Sequence, residues 1–230
     1  MASKPKILRN VRAGRESIPP GHDAPRHRHL RAYALVVVRG AVAQASYAGR
    51  VVARSGDVLL QPTLDCHANA LQSAGVDILR LPWGRVEDLG GCYRLADLDE
   101  VVRLAERDAQ EAGLRLAAEI AAAARGPSAN DWPDLLAADI CSVQELRAWA
   151  ETRGLRAETV SRGFARAFGV TPGRFRAELQ ARRAWLRITG SRDHLARIAA
   201  DTGYCNQPHM SRAVSRLTGA SPNVWRSRPA

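Results

Sequence analysis

Two arginines and two histidines open the chemistry available to this chain. Arg162 and Arg212 each follow a serine and stand fifty residues apart, and a guanidinium held in a DNA major groove can pair bidentately with guanine N7 and O6. His27 and His29, separated by one residue, project from the same face of any strand that carries them, because strand side chains alternate with period two. Neutral imidazoles that converge on a point can hold zinc or another divalent ion. Tyr33, a few residues on, offers a neutral phenol and aromatic surface instead of a charge.

The arginines belong to a phrase that the chain repeats. Ser161-Arg-Gly-Phe-Ala-Arg-Ala-Phe-Gly-Val-Thr-Pro-Gly-Arg-Phe-Arg176 returns as Ser211-Arg-Ala-Val-Ser-Arg-Leu-Thr-Gly-Ala-Ser-Pro-Asn-Val-Trp-Arg226, with six identical positions. A short apolar-periodic stretch precedes each copy: Val143, Leu146, Trp149 and Ala150 before Gly154, and Leu195, Ile198 and Ala199 before Gly203. Each glycine supplies the left-handed residue that a tight helix-to-helix turn requires. A second helix is predicted to follow, with Val160, Phe164 and Phe168 inward in one copy and Met210, Val214 and Leu217 inward in the other. The outward faces carry Glu158, Ser161, Arg162, Ala165 and Arg166, and Gln207, His209, Ser211, Arg212, Ser215 and Arg216. Short helix, glycine turn and a second helix rich in outward Arg, Gln and Ser form the helix-turn-helix pattern.

Two such units, joined by one long helix and ending in Gly-x-Ser/Thr-Pro-x-x-aromatic-Arg, resemble the DNA-binding region of the AraC family of bacterial transcription regulators. The resemblance covers about the last hundred residues. It implies that Glu158, Ser161, Arg162 and Arg166 in the first unit, and Gln207, His209, Ser211, Arg212 and Arg216 in the second, face double-stranded DNA. The helix opening at Pro172 is expected to run to about Ile188; its sixteen steps of about 1.5 Å span roughly 24 Å. With the helices at each end, that allows two reading helices about 34 Å apart, one turn of B-DNA. Arg174, Arg176 and Arg182 are expected to meet phosphates or solvent. Asn206 is a good cap for the second reading helix, whereas Arg156-Ala157 replace a short polar cap in the first, so binding through the second unit alone is an alternative.

The charge agrees with a polyanionic partner. Net charge is +11 with a sequence pI of about 10.6, and from Glu158 onward thirteen arginines stand against four acids. No apolar run approaches spanning length, no lipidation signal is present, and the start lacks the apolar core of a secretory signal, so a cytoplasmic location without membrane contact is expected. Cys66, Cys92, Cys141 and Cys205 lie far apart, in no zinc-knot or disulfide spacing.

Residues 7 to 95 read as short strands between Gly and Pro turns, which predicts a small barrel. Gly21, His27-x-His29 and Gly40 resemble the first motif of the cupins, and Gly56-Asp57, Pro62 and His67 the second. The resemblance implies that His67 joins His27 and His29 in a pocket, which in metal cupins holds a divalent ion together with a glutamate. Tyr33 occupies the glutamate's place and Leu64 that of the usual glycine. The reading therefore assigns no cofactor, with a divalent ion as the alternative occupant of the pocket.

From Asp97 to about Arg125 an acidic helical segment is expected. Leu98, Val101, Val102, Ala105 and Ala109, then Leu114, Leu116, Ala117, Ile120 and Ala121, form its stripe, with a weak point at Gly113. It reads as a dimerisation element or as a layer packed on the chain's own barrel. Gly126 to Asn130 is the expected linker, and Asp131 the cap of the next helix. The chain is thus expected to be an α+β protein of two domains. A cupin-like β-barrel (residues 1–96) and a helical segment with linker (97–130) would precede an all-α double helix-turn-helix (131–230). The function expected is sequence-specific regulation of transcription, without enzymatic activity. The expected partners are DNA, a small-molecule effector, a second copy in a homodimer and, for an activator, RNA polymerase. The alternatives are a cupin-type metal enzyme or metal sensor tethered to DNA, and a non-specific architectural protein.

Overall fold

The computed structural model describes residues 6–8, 11–84, 90–122 and 131–227. The expected linker from Gly126 to Asn130 and the end of the preceding helical segment lie outside them. The chain divides into two compact units: one runs to Ala138 and includes Ala167–Gly169, the other comprises Asp139–Arg166 and the chain from Val170 onward.

The first unit is built on eight strands: β1 (Lys6–Leu8), β2 (Gly14–Ile18), β3 (Ala24–His29), β4 (Tyr33–Ser46), β5 (Gly49–Arg54), β6 (Asp57–Gln61), β7 (Cys66–Pro82) and β8 (Gly91–Arg94). They form one sheet in the order β1-β3-β7-β4-β6-β8, with β2 also on β7 and β5 also on β4. The pairs are antiparallel except β1 with β3.

The expected barrel is corrected by this topology: among the described residues no ladder joins β1 to β8, and the sheet stays open. Its two long strands explain why. β4, of 14 residues, pairs with β6 over Tyr33–Val36 and with β5 over Ala41–Ser46, while β7, of 17 residues, lies along its other edge. The β4–β7 register shifts between Val37 and Ala41, so the pair bends there, while the short end strands do not meet.

Alternation along β4 sorts its side chains between two cores. Ala34 and Val36 join Val58, Leu60, Leu79, Leu81 and Trp83 on one face; Tyr33, Leu35 and Val37 join Val42, Leu59 and Ile78 on the other. The first face is covered by α1 (Leu98–Arg107) and α2 (Ala109–Ala122), whose Val101, Ala112, Leu116 and Ile120 are buried in that core. The stripe read from the sequence therefore packs on the same chain's sheet. Leu114, counted in that stripe, is 65% exposed.

The break between the two helices falls at Asp108, not at Gly113. Asp108 takes an extended conformation, and its carboxylate accepts from the Gln110 and Glu111 amides, starting α2. Gly113 lies inside α2, where a Cβ would come within 2.7 Å of the Pro82 carbonyl oxygen; glycine is there for close helix-to-strand approach.

Helix α3 (Trp132–Asp139) begins after Asp131. Arg50, at the start of β5, fixes it: its amide and guanidinium both bond the Asp134 carboxylate, and the guanidinium also meets Asp131.

The second unit holds α4 (Leu146–Glu151), α5 (Ala157–Phe168), α6 (Pro172–Gly190), α7 (Leu195–Asp201), α8 (Gln207–Thr218) and α9 (Pro222–Arg226). Gly154 and Gly203 sit at φ +65° and +78°, as the tight turns require. Gly113→Val should lower the stability of the first unit by about 1–3 kcal/mol, because the added methyls meet backbone, which cannot swing aside. Thermal unfolding checks this; an unchanged midpoint would contradict the close-approach reading.

Candidate nucleic-acid interface and histidine pocket

The two helix-turn-helix units match in their bonds as well as their sequences. Helices α4 and α5 flank the turn of the first unit, and α7 and α8 that of the second; α6, 19 residues long, joins them. Val160, Phe164 and Phe168 on α5 are buried, and so are Met210, Val214 and Leu217 on α8. Glu158, Arg162 and Arg166 on α5, and Gln207, His209, Arg212 and Arg216 on α8, are exposed, with Ser161 and Ser211 half-buried beside them. Every residue expected to meet DNA thus lies on the outward side of its helix.

Other arginines of this unit are tied down by acids: Arg153 by Asp139, Arg174 by Glu178, and Arg187 by Asp193 and Asp201. Among the described residues no acid engages Arg162, Arg166, Arg212 or Arg216. Four guanidiniums on two outward faces are therefore available to a polyanion.

Three arginines assigned to phosphate or solvent have other work, which corrects that expectation. Arg182 is 1% exposed inside the unit. Arg174 pairs with Glu178 one turn on. Arg176 donates through Nε to the Ile140 carbonyl at 2.7 Å and through Nη2 to that of Val143 at 2.6 Å. Its repeat counterpart Arg226 donates through Nη2 to the Asp193 carbonyl at 2.7 Å. Each pins the segment leading into the first helix of its unit. Sequence reasoning missed this role, although both arginines were among the six identical repeat positions.

The caps differ as the sequence suggests. Asn206 Oδ1 accepts from the His209 amide at 2.8 Å and starts α8, whereas Arg156, at the corresponding place before α5, has no side-chain acceptor to offer. The turns also differ in length. Leu155 N bonds Ala150 O, and Tyr204 N bonds Ala199 O, a shift of 49; Val160 N bonds Arg156 O, and Met210 N bonds Asn206 O, a shift of 50. Cys205 is the residue without a counterpart. In the second unit Gln180 of α6 also holds the turn, donating to the Thr202 and Gly203 carbonyls at 2.9 Å each.

In the first unit the structure brings His27, His29 and His67 together. His27 on β3 is the ladder partner of His67 on β7, and one ligand nitrogen from each of the three rings lies within 4.8 Å of the others. Tyr33 Oη lies 3.3 Å from His29 Nε2. The loop that delivers His67 is anchored by Leu64, whose amide donates to the His29 carbonyl at 2.8 Å. Leu64 has φ +59°: the place expected to hold glycine keeps the left-handed backbone although its residue has a side chain, and that side chain is fully buried.

His27, His29 and Tyr33 line a cavity of about 620 Å³, together with Arg80 and the apolar Leu35, Val42, Leu71 and Ile78. His27 Nδ1 faces the Pro25 carbonyl at 2.8 Å, a bond that places the proton there and leaves Nε2 as the free lone pair. Burial holds all three imidazoles below the ordinary histidine value, His29 at about 3 and His67 well below. His27 and Arg80 add to the shift at His29. The trio is therefore neutral at pH 7.

Two helix-turn-helix units joined by one long helix form an architecture that can present two helices to DNA. Residues 149–228 match the family model of the helix-turn-helix domain of AraC type. None of the curated proteins matches the chain significantly. Among solved structures, ToxT from Vibrio cholerae bound to an unsaturated fatty acid aligns over 94% of each chain at 9% identity and TM-score 0.40. An AraC-type transcriptional regulator from Chromobacterium violaceum aligns over 42% of this chain and 88% of its own at 21% identity and TM-score 0.37. The C-terminal domain of AraT, a response regulator from Geobacillus stearothermophilus, covers 40% and 76% at 23% identity and TM-score 0.35. Among the described residues no helix is long and apolar enough to cross a membrane.

Two outcomes follow. Arg182→Ala should lower stability by about 2–4 kcal/mol while leaving the salt slope of DNA binding unchanged, because a buried guanidinium meets no phosphate. Denaturant unfolding and binding at several salt concentrations check it; a flattened slope with unchanged stability would contradict it. The histidines give a pH dependence of definite sign. Below pH 6.5 the unfolded chain takes up protons that the folded trio refuses. Stability is therefore full above that pH and falls as pH drops. Urea unfolding between pH 7.5 and 5 should show this fall, and His27→Gln should reduce it; an equal fall in the variant would contradict the assignment.

Proposed function

We propose that this protein is a sequence-specific transcription regulator that reads two successive major grooves with α5 and α8 and is modulated through the histidine-lined cavity. The observation that carries the reading is the repetition, in one register, of exposed guanidiniums without acidic partners on both reading helices. A helix of 19 residues spans roughly 28 Å, a length suited to holding two reading helices about one turn of B-DNA apart. In this reading Arg162 and Arg212 meet base edges, while Arg166 and Arg216, one turn further along, reach backbone or flanking bases.

For the cavity we favour an organic effector, supported by its volume and by the apolar side chains opposite the imidazoles. A divalent ion is the second reading, favoured by the three ligand nitrogens and by His29 Nδ1, which has no partner among the described residues. Tetrahedral bonds of about 2.0–2.1 Å require nitrogens roughly 3.3 Å apart, so an ion would draw the three rings closer together. A homodimer, a cytoplasmic location and, for an activator, contact with RNA polymerase complete the proposal.

Selection of bound sites from a random duplex pool should return two conserved half-sites one helical turn apart. Arg212→Ala should then lose about 1–3 kcal/mol on the selected site and relax preference at one position, in the half-site of α8. Recovery of unselected sequence, or an equal loss on all duplexes, would refute specific reading. Metal analysis of protein purified without added metal separates the two occupants. The effector reading expects no stoichiometric metal, whereas zinc, iron or manganese present in the wild type and lost in His67→Ala would establish the ion.

A further inference from the structure

Arg80, on β7, is common to two cavities of the first unit. It lines the histidine cavity of about 620 Å³ and a second one of about 480 Å³ that shares Val11 and Tyr33 with the first. Among the described residues the charged groups lining the two are Arg12, Arg26, Arg31 and Arg80 against one carboxylate, that of Glu16. Asp65, whose charge reaches Tyr33, is buried and lines neither. The second cavity adds a donor, because Trp83 Nε1 is buried there without a hydrogen-bond partner among the described residues. The three imidazoles add no charge. Burial is the largest cause that keeps them neutral, and at His27 and His29 the Arg80 guanidinium works in the same direction. A positive charge that reaches the imidazoles opposes a cation beside them and favours an anion.

The chain already places an anion on Arg80. Glu16, on β2, accepts from Arg80 Nη1, and no other group among the described residues takes the remaining guanidinium donors. The Arg80 side chain is 25% exposed and that of Glu16 50%, so the carboxylate can turn to solvent while the guanidinium stays in the wall. We propose that the effector is an organic anion, a carboxylic acid with an apolar body, whose carboxylate takes Arg80 in place of Glu16; the assignment rests on the organic-effector reading of the histidine cavity. The body lies against Ile18, Leu35, Val42 and Ile78. Exchange of one carboxylate for another keeps the guanidinium paired throughout, so neither charge is buried alone. A carboxylate that engages both arms of the guanidinium fork gains over Glu16, which is held at one nitrogen.

The test is calorimetric titration of the full chain at neutral pH with three molecules that share one body: phenylpropionate, phenylpropanol and phenylpropylamine. The acid should bind, and the alcohol and the amine should bind at least about tenfold more weakly. Arg80→Gln should bind the acid no better than the alcohol. Glu16→Gln should bind the acid about threefold or more tightly than the wild type, because Arg80 then has no competing carboxylate. That gain is a result a misfolded variant cannot give. Equal affinity for acid and alcohol, or a Glu16→Gln variant that binds the acid no more tightly, would overturn the anion and leave the effector cavity standing. Binding of none of the three would overturn the proposal, and stoichiometric metal in the same protein would then remove the effector reading with it.

Discussion

Each helix-turn-helix unit is tied by an arginine whose charge-assisted hydrogen bonding reaches back through the unit. Arg176 Nη2 and Arg226 Nη2 each donate to a carbonyl 33 residues upstream, just before the first helix of the unit. A reading helix is useful only if the helix behind it is fixed, because a side chain misplaced by about 1 Å loses bidentate geometry with a base. Hydrogen bonds to a charged donor are about twice as strong as neutral ones, so one guanidinium can hold a loop that contributes few apolar contacts. The repeat preserves this bond in both copies, although the aromatic residue beside each arginine changes from Phe175 to Trp225. Phe175 stacks edge-on against Phe164 within its unit, while Trp225 meets Trp185 of the joining helix.

Much of the second unit was legible in the sequence because its rules are local. Period decides which side of α5 and α8 faces in, glycine at positive φ decides where each turn falls, and Asn206 announces its helix. The errors share a cause. Because arginine is usually exposed, the sequence pattern places Arg176 and Arg182 on phosphate or in solvent, and only long-range packing shows that one pins a loop and the other is buried. In the same way Gly113 looked like a break in the helix, where the decisive residue was Asp108, whose side chain can satisfy the next helix's first amides. Sheet closure was beyond reach for a different reason: it depends on which strand ends meet, and strands as long as β4 and β7 bend and change partners along their length.

In the first unit a leucine holds a backbone conformation that suits glycine. Leu64 holds a left-handed conformation that costs of order 1 kcal/mol for a non-glycine residue, offset by full burial of its side chain and by the bond to His29. That loop sets His67 opposite His27, and strand pairing brings His29 and Tyr33 to the same place. Three imidazoles held neutral by burial thus share a cavity wall with Arg80 and with apolar side chains.

The central claim is that one chain reads two grooves through units fixed by α6, and spacer length tests it most directly. A selected duplex would be compared with one in which about five base pairs, half a turn, are inserted between the half-sites. Because α6 is a continuous helix pinned at both ends, the account predicts that affinity falls to that of a single half-site. Unchanged affinity after the insertion would contradict it, showing that one unit alone makes the contacts that matter.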